Sequence, residues 1–250
     1  IHVSERRANG QRVLVDHPAR WEFYYSDPKG KYRSLYDTPV ERVSVNTSKD
    51  FYKELKIRSH IQTFESDIPV INKCLSEHYR NTEIPKLHVC FLDIECDWDS
   101  VNGFSSPDDA LQPITAVTIY LQWEQKLITL TLPPKHIKID EARKMLSQFE
   151  NTFVMSDEAE LLNTFIDLVN DADVLSGWNS EGFDLPYIVN RITRVLSQND
   201  TRRLCLWSQK PKSRTFERFG SENQTYDLIG RIHLDYLQLY RKYTLEERHS

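Results

Sequence analysis

The chain has 250 residues, of which 39% are hydrophobic and 28% are charged, and its formal net charge is −5 at pH 7. This length and composition fit a globular protein with one large or two modest domains, and they exclude a disordered chain. No apolar run approaches the roughly 18–20 residues that a membrane-spanning helix needs, so we expect a cytoplasmic protein with no membrane partner.

Net charge and cysteine content say little about binding partners or metal sites. The acidic net charge does not indicate nucleic-acid binding, although a nuclease carries acidic groups at its centre and can keep its basic surface local. The four cysteines include no Cys-x-x-Cys pair, so the sequence gives little support for a zinc site. We expect the five tryptophans to lie in the core.

Residues 1–84 are predicted to form a small β-rich α+β domain. An aromatic strand at 21–25, a Pro- and Gly-containing turn and a return strand at 31–36 indicate a hairpin. A further strand at 39–45 and helices at 48–55 and 68–79, the first capped by Ser48, complete this domain. The segment 81–85 is the expected boundary.

Residues 85–250 are predicted to form an α/β domain with a mixed sheet. The expected elements are strands at 88–95, 113–122, 126–132 and 173–178 and helices at 157–169 and 185–196. A polar loop at 96–112 follows the first strand.

The acid pair Asp93 and Glu95 ends the first strand of this domain. Residues two apart in a strand point to the same face, so both carboxylates project together. Like charges on one face repel unless a cation is present, and hard carboxylate oxygens suit a divalent metal. A solvated strand end is the simpler alternative, because an isolated Asp-x-Glu arises often by chance.

The segment 176–192 contains a third acid, Asp184, where a strand, a Gly-containing loop and a helix follow one another. One interpretation is a helix N-cap, with Pro186 in the first turn. A residue at such a corner can also serve as a metal ligand at the mouth of a sheet.

The order Asp93-Ile94-Glu95 and then Asn179-Ser-Glu-Gly-Phe-Asp184 resembles the first two exonuclease motifs of family B DNA polymerases, and the stretch 177–191 is especially similar to the tailed-bacteriophage version. The segments 32–42, 103–118 and 234–243 extend the resemblance over nearly the whole chain. It implies a polymerase N-terminal domain at 1–84 and a ribonuclease-H-like 3′→5′ proofreading exonuclease domain at 85–250, incomplete at its C-terminal end.

The resemblance also implies a mechanism and a substrate. Two Mg²⁺ or Mn²⁺ ions would be held by Asp93, which bridges them, with Glu95 on one ion and Asp184 on the other. The substrate would be the single-stranded 3′ end of DNA at a primer-template. Three residues would contact that DNA, namely Asn179, Phe183 and Phe104, with local packing as the alternative role for each.

The third exonuclease motif of the family, Tyr-x-x-x-Asp, does not occur in this sequence. Asp235 lies in a strand-like run, but it precedes the place where that motif should fall. We therefore expect a fragment of a replicative DNA polymerase, nearly inactive alone, whose further partners are the palm, fingers and thumb domains and a sliding clamp. The expected setting is the cytoplasm of a bacterium or of a phage-infected bacterial host. The alternative is a catalytically incomplete or degenerate nuclease-like module that only binds DNA.

Overall fold

The computed structural model describes residues 1–101, 103–218 and 221–243. The chain divides into two compact units, Ile1–Lys86 and a second that begins at Leu87. The boundary predicted at 84/85, and the assignment of the two sides to polymerase domains, remain predictions. Within the described residues no helix combines the length and apolar character needed to cross a bilayer.

The first unit is rich in short strands. Its described elements are β1 (His2–Arg6), β2 (Arg12–Asp16), β3 (Trp21–Ser26), β4 (Tyr32–Arg33), β5 (Pro39–Val45), α1 (Ser48–Ile57), β6 (Thr63–Phe64) and α2 (Val70–Tyr79). Strands β1 and β2 form an antiparallel hairpin, and a four-stranded sheet has the order β4-β5-β3-β6. The fully buried Phe23 ring packs edge-on against Phe51 of α1 and centres this small core.

The predicted hairpin between residues 21–25 and 31–36 is wrong. Strand β3 pairs instead with β5, with Trp21 opposite Val45, and the two-residue β4 pairs with the other edge of β5. The chain passes so close to β5 that a Cβ on Gly30 would lie 2.3 Å from the Val40 carbonyl carbon. Strand β5 therefore lies between β4 and β3, and it is β5, the longer and alternating strand, that hydrogen-bonds to β3.

The second unit is a mixed α/β fold. Its described elements are β7 (Val89–Cys96), β8 (Ile114–Leu121), β9 (Lys126–Thr131), α3 (Ile139–Leu146), β10 (Thr152–Val154), α4 (Glu158–Leu168), β11 (Val174–Gly177), α5 (Asp184–Val195), β12 (Lys212–Arg218), β13 (Ser221–Asp227), β14 (Ile232–Asp235) and α6 (Tyr236–Tyr243). Asp200–Leu204 adds a 3₁₀ turn.

A six-stranded sheet has the order β10-β9-β8-β7-β11-β14. The pairs β7–β8 and β8–β9 are antiparallel, whereas β9–β10, β7–β11 and β11–β14 are parallel. The predicted class, an α/β domain with a mixed sheet after a β-rich N-terminal part, is confirmed. The prediction missed α3 and β10, which are short, and the β12–β13 hairpin, whose residues are mostly charged or polar.

The core of this unit lies between the sheet and helices α4 and α5. Strand β7 alternates, with Cys90, Leu92 and Ile94 buried and the residues between them exposed. Apolar side chains from the two helices complete the cluster, among them Leu161, Phe165, Tyr187, Ile188 and Ile192. This packing fixes which face of β7 points to solvent, and so it positions the acids.

The expectation that all five tryptophans are core residues is wrong for two of them. Trp98 is 55% exposed and Trp178 is 46% exposed. Both follow the carboxyl end of a strand, where the chain has left the sheet and packing on either side is incomplete.

Candidate active site

Three parallel strands of the six-stranded sheet, β7, β11 and β14, end at the same edge. Strand β11 pairs with only the first part of β7, where the last matched residues are Ser176 and Phe91. The remainder of β7 therefore extends past the end of β11. Ligand sites in open α/β sheets form at such carboxyl ends, where loops leave a crevice.

Asp93 and Glu95 lie on the exposed face of this extension, while Leu92 and Ile94 between them are buried. Their neighbours on β8 are Thr118 and Ala116, which place no positive charge opposite the acids. The β7–β8 register shifts immediately after Glu95. Such a bulge bends the strand locally and is a common way to aim a side chain beside an active site.

Asp184 is the first residue of α5 and is only 4% exposed. Its Oδ1 accepts a hydrogen bond from the backbone N–H of Ile94 at 3.1 Å, so it replaces the strand partner that β7 lacks beyond β11. The N-cap interpretation is therefore wrong: Phe183 occupies that position and makes no side-chain cap bond. The Asp184 carboxyl faces β7 rather than capping its own helix.

The electrostatics of Asp184 are unfavourable to its charged form. Burial raises its pKa from the usual 3.8 to about 7, and the nearby Asp93 and Asp235 carboxylates add to this rise. The N–H of Ile94 opposes the shift without cancelling it. A cation between these groups would favour the ionised carboxylate and relieve the repulsion.

A close approach at Gly177 brings α5 to this position. A Cβ there would lie 2.6 Å from the Leu92 carbonyl oxygen and 2.9 Å from the Ser180 Cβ. Only glycine allows the end of β11 to run this near β7 while the chain turns at once toward α5. The turn places Asp184 beside the acid pair.

Asp235, at the end of β14, is buried and organises the loop between β11 and α5. Its carboxylate accepts the backbone N–H groups of Asn179 at 3.1 Å, Glu181 at 3.2 Å and Leu237 at 2.9 Å. It stands opposite Gly177 in the parallel register. The sequence pattern identified Asp235 as an acid in a strand but did not assign it to the edge that carries the other acids. Its position as the last residue of a parallel strand could have indicated this.

The predicted metal ligands meet at this edge without forming a compact cage. Asp93 and Asp184 lie close enough for their charges to interact. Across the described ranges, the oxygens of Asp93, Glu95 and Asp184 do not all lie within 4.8 Å of one another. Two strand acids and one buried helix acid nevertheless form a hard-oxygen donor set that fits Mg²⁺ or Mn²⁺, and their mutual repulsion is consistent with a site designed for cations.

The three predicted DNA contacts differ in accessibility. Phe104 is 72% exposed, in the loop that follows the Asp99–Gly103 bridge, and its ring face is open to solvent. Phe183 is half-buried against the core, with its ring 5.4 Å from Tyr187. Asn179 has a positive φ of 58° in the tight loop, a conformation that Asn tolerates better than most residues.

A cluster of aromatic side chains lies next to the loop and was not predicted. The exposed Trp178 ring stands 6.1 Å from Tyr236 and 5.7 Å from Tyr240 of α6. Such a surface beside a carboxylate edge offers apolar faces on which unpaired bases could stack.

Comparison with known proteins agrees with this architecture. Residues 39–249 match the family described as DNA polymerase family B, exonuclease domain. The DNA-directed DNA polymerase of Escherichia phage RB69 is 28% identical over 184 residues, which cover 66% of this chain and 20% of that protein. The DNA-directed DNA polymerase of Enterobacteria phage T4 is 33% identical over 88 residues, which cover 34% of this chain and 10% of the relative.

The similarity is not confined to phage proteins. The DNA polymerase delta catalytic subunit of Plasmodium falciparum (isolate K1 / Thailand) is 29% identical over 201 residues, which cover 72% of this chain and 17% of that protein. The chain spans a fifth or less of the length of these three relatives. The family match covers most of the chain, including the sheet edge that carries the acids, and the chain belongs to the exonuclease-domain family of family B DNA polymerases.

Proposed function

We propose that the second unit is a metal-dependent 3′→5′ exonuclease that removes nucleotides from single-stranded DNA ends, as a proofreading activity of a replicative DNA-directed DNA polymerase. One observation carries this proposal: at one edge of the sheet the buried Asp184 carboxyl lies near Asp93 and accepts the N–H of Ile94, the residue between Asp93 and Glu95. Its pKa of about 7 indicates a carboxylate held in a place that favours an added positive charge.

Asp93, Glu95 and Asp184 would hold the Mg²⁺ or Mn²⁺ ions. Two bound ions supply an activated water and stabilisation of the leaving oxygen for phosphodiester hydrolysis. The Ile94 N–H orients Asp184 toward β7. Asp235 acts as a positioning residue, because two of the N–H groups that it accepts, those of Asn179 and Glu181, belong to the loop that leads into Asp184.

The DNA end would lie along the same edge. Phe104 is the best placed of the three predicted contacts, because its exposed ring can stack on a base. Asn179, in its tight loop, can hydrogen-bond a terminal nucleotide. Phe183 packs against the core, so it would line the bottom of the site rather than stack directly on a base.

The wider assembly follows from the relatives. We propose that the chain works with the palm, fingers and thumb domains of a polymerase and with a sliding clamp, at a primer-template in the cytoplasm of a bacterium or phage-infected host. The phage relatives named as DNA-directed DNA polymerases support this setting. The N-terminal unit would be the corresponding polymerase N-terminal domain.

Calorimetric titration with Mn²⁺ tests the proposal in this chain. The wild-type protein should bind Mn²⁺, and Asp93→Ala should weaken that binding at least tenfold because it removes a ligand from the exposed face of β7. Asp140→Ala, which removes an exposed acid of α3, is the matched control and should leave binding unchanged. In a longer form of the protein that carries a Tyr-x-x-x-Asp motif, Asp93→Ala should abolish 3′→5′ degradation; unchanged degradation would refute the assignment.

A degenerate module that only binds DNA is the second candidate. The observation that favours it is the engagement of both Asp235 oxygens by backbone N–H groups. The two candidates differ in the same titration. Single-stranded DNA binding without any Mn²⁺ binding at Asp93 would favour the degenerate module, whereas Mn²⁺ binding that depends on Asp93 would favour the nuclease.

A further inference from the structure

The first unit contains a cluster of soft metal-binding donors that the nuclease function does not use. His17, Cys74 and His78 each bring one donor atom, and these three atoms lie within 4.8 Å of one another. Cys74 and His78 are four residues apart on α2 and therefore share a face of that helix. His17 directly follows β2, so the cluster joins α2 to the first hairpin.

The hydrogen bonds around His17 leave one ring nitrogen free to act as a ligand. Its Nε2 lies 2.7 Å from the Tyr79 hydroxyl, and that hydroxyl donates a hydrogen bond to Glu5 Oε1 at 2.6 Å. A hydroxyl has a single proton, so Nε2–H must donate to Tyr79. The Nδ1 atom then keeps its lone pair for another partner.

This chain of bonds matches the surroundings of metal-bound histidines. In most metal sites the second ring nitrogen of a ligating histidine donates to a carboxylate, carbonyl or similar acceptor, which fixes the tautomer and the ring orientation. The Glu5–Tyr79–His17 arrangement thus prepares one ligand in advance.

Distances and access also fit a metal ion. Donors around one tetrahedral zinc ion stand about 3.5 Å apart, so side-chain rotations of roughly 1 Å would close the cluster. The imidazole rings of His17 and His78 stack, with centroids 4.1 Å apart and planes 20° from parallel, so one ring must turn before both in-plane lone pairs point at a single ion. A cavity of about 570 Å³, lined in part by Pro18, Cys74 and Glu77, reaches the position of Cys74 on α2.

We propose that His17, Cys74 and His78 form a binding site for a zinc-type divalent transition metal, with water as the fourth ligand, and that the ion links α2 to the β1–β2 hairpin. Binding converts the Cys74 thiol to a thiolate, and the released proton passes to solvent. Two imidazoles and a thiolate select zinc or cobalt over magnesium, which prefers oxygen ligands. The site is independent of the carboxylates at the sheet edge of the second unit.

Cobalt and zinc titrations of the whole chain, reduced with a phosphine, test the site. Co²⁺ should produce a thiolate-to-metal charge-transfer band in the near ultraviolet, which Cys74→Ala abolishes and Asp93→Ala leaves unchanged. His78→Ala should weaken Zn²⁺ binding at least tenfold, and Tyr79→Phe should weaken it about tenfold through the lost orientation of His17. His60→Ala, which removes an exposed histidine of the same unit, is the matched control and should change nothing.

Alkylation of Cys74 in the wild-type chain tests the site without relying on the folding of any variant. Zn²⁺ should slow the alkylation of Cys74 at least tenfold, as read by mass spectrometry, while Cys205 in the second unit reacts at an unchanged rate. Absence of the thiolate band with Co²⁺, or zinc binding that survives both Cys74→Ala and His78→Ala, would overturn the proposal. Because none of these readouts depends on Asp93, failure of this site and failure of the proposed nuclease are distinguishable.

Discussion

The burial of Asp184 and the charges around it determine which protonation state of its carboxyl is favoured. Its carboxyl is buried beneath the end of β7, and one backbone N–H does not compensate for the loss of water and for the neighbouring charges of Asp93 and Asp235. The protein therefore keeps an acid where, without a cation, the neutral form is favoured. Such a cost to stability is typical of functional sites rather than of structural ones.

This leads to a prediction for Asp184→Asn in metal-free protein. The folded pKa of about 7 lies above the usual 3.8, so the contribution of Asp184 to stability is fully present below about pH 4 and is lost as pH rises through 7. The variant lacks this loss and keeps an oxygen for the Ile94 N–H. Its free energy of unfolding in urea should match wild type near pH 4 and exceed it near pH 8, by at most about 4 kcal/mol.

The control for this experiment is Asp140→Asn, which alters an exposed acid of α3 and should show no such dependence on pH. A difference between Asp184→Asn and wild type that stays constant from about pH 4 to pH 8 would contradict the explanation. The same variant should also lose Mn²⁺ binding at the sheet edge, because the amide cannot supply a negative charge.

At the scale of elements, the loop between β11 and α5 is held by Asp235, which follows it by more than fifty residues. Asp235 at the end of β14 accepts the N–H groups of Asn179 and Glu181 in the loop and of Leu237 in α6. Arg214 of β12 pairs with Glu181 in the same loop and with Asp227 of β13 at 2.8 Å. The loop that delivers Asp184 is thus braced by two later elements.

Asp235→Asn should weaken this bracing. One amide oxygen cannot replace two carboxylate oxygens, so at least the bond from the Glu181 N–H is lost, and the others lose their charge assistance. We expect a loss of about 1.5–3 kcal/mol in the free energy of unfolding and weaker Mn²⁺ binding, measured by urea denaturation and calorimetry.

Asp227→Asn is the matched control for Asp235→Asn. Asp227 is about half exposed and pairs with Arg214 at the surface, so this change should cost less than about 1 kcal/mol. Equal losses for the two variants would show that the buried hydrogen bonds of Asp235 do not brace the loop.

For the whole molecule, bound cations and stability are linked by mass action. An ion that binds only the folded chain stabilises it by about 2.7 kcal/mol at one hundred times Kd. We expect Mg²⁺ or Mn²⁺ to raise the melting temperature by several degrees near pH 8, and by less near pH 6, where protons compete for Asp184. Calorimetric scans check this.

Asp93→Ala is the control for those scans and should remove most of the rise at both pH values. A rise that is identical in wild type and Asp93→Ala would mean that the ions stabilise the chain at some other place. Zn²⁺ is left out of these scans, because the first unit offers His17, Cys74 and His78 as separate donors.

The periodicity of the second unit allowed most of its core elements and its mixed α/β class to be predicted, because buried strands and amphipathic helices carry strong local patterns. The acid pair could be assigned to one strand face for the same reason. The partner of the short β4 and the polar hairpin β12–β13 were missed although each pairs strands adjacent in the chain, because a two-residue strand and strands of mostly charged or polar residues carry little pattern.

The sequence by itself determined the family, the alternation that exposes Asp93 and Glu95, and the presence of Asp184 at a strand–loop–helix corner. Only the tertiary structure decided the contacts of Asp184, because its hydrogen-bond donor, the Ile94 N–H, lies ninety residues away in the chain. That N–H is available because β11 ends before it reaches the last part of β7. The tertiary structure likewise decided the role of Asp235 and the meeting of His17 with α2. Local patterns encode which face of an element is buried, whereas charge repulsion and metal-ligand geometry depend on distances between segments far apart in the chain.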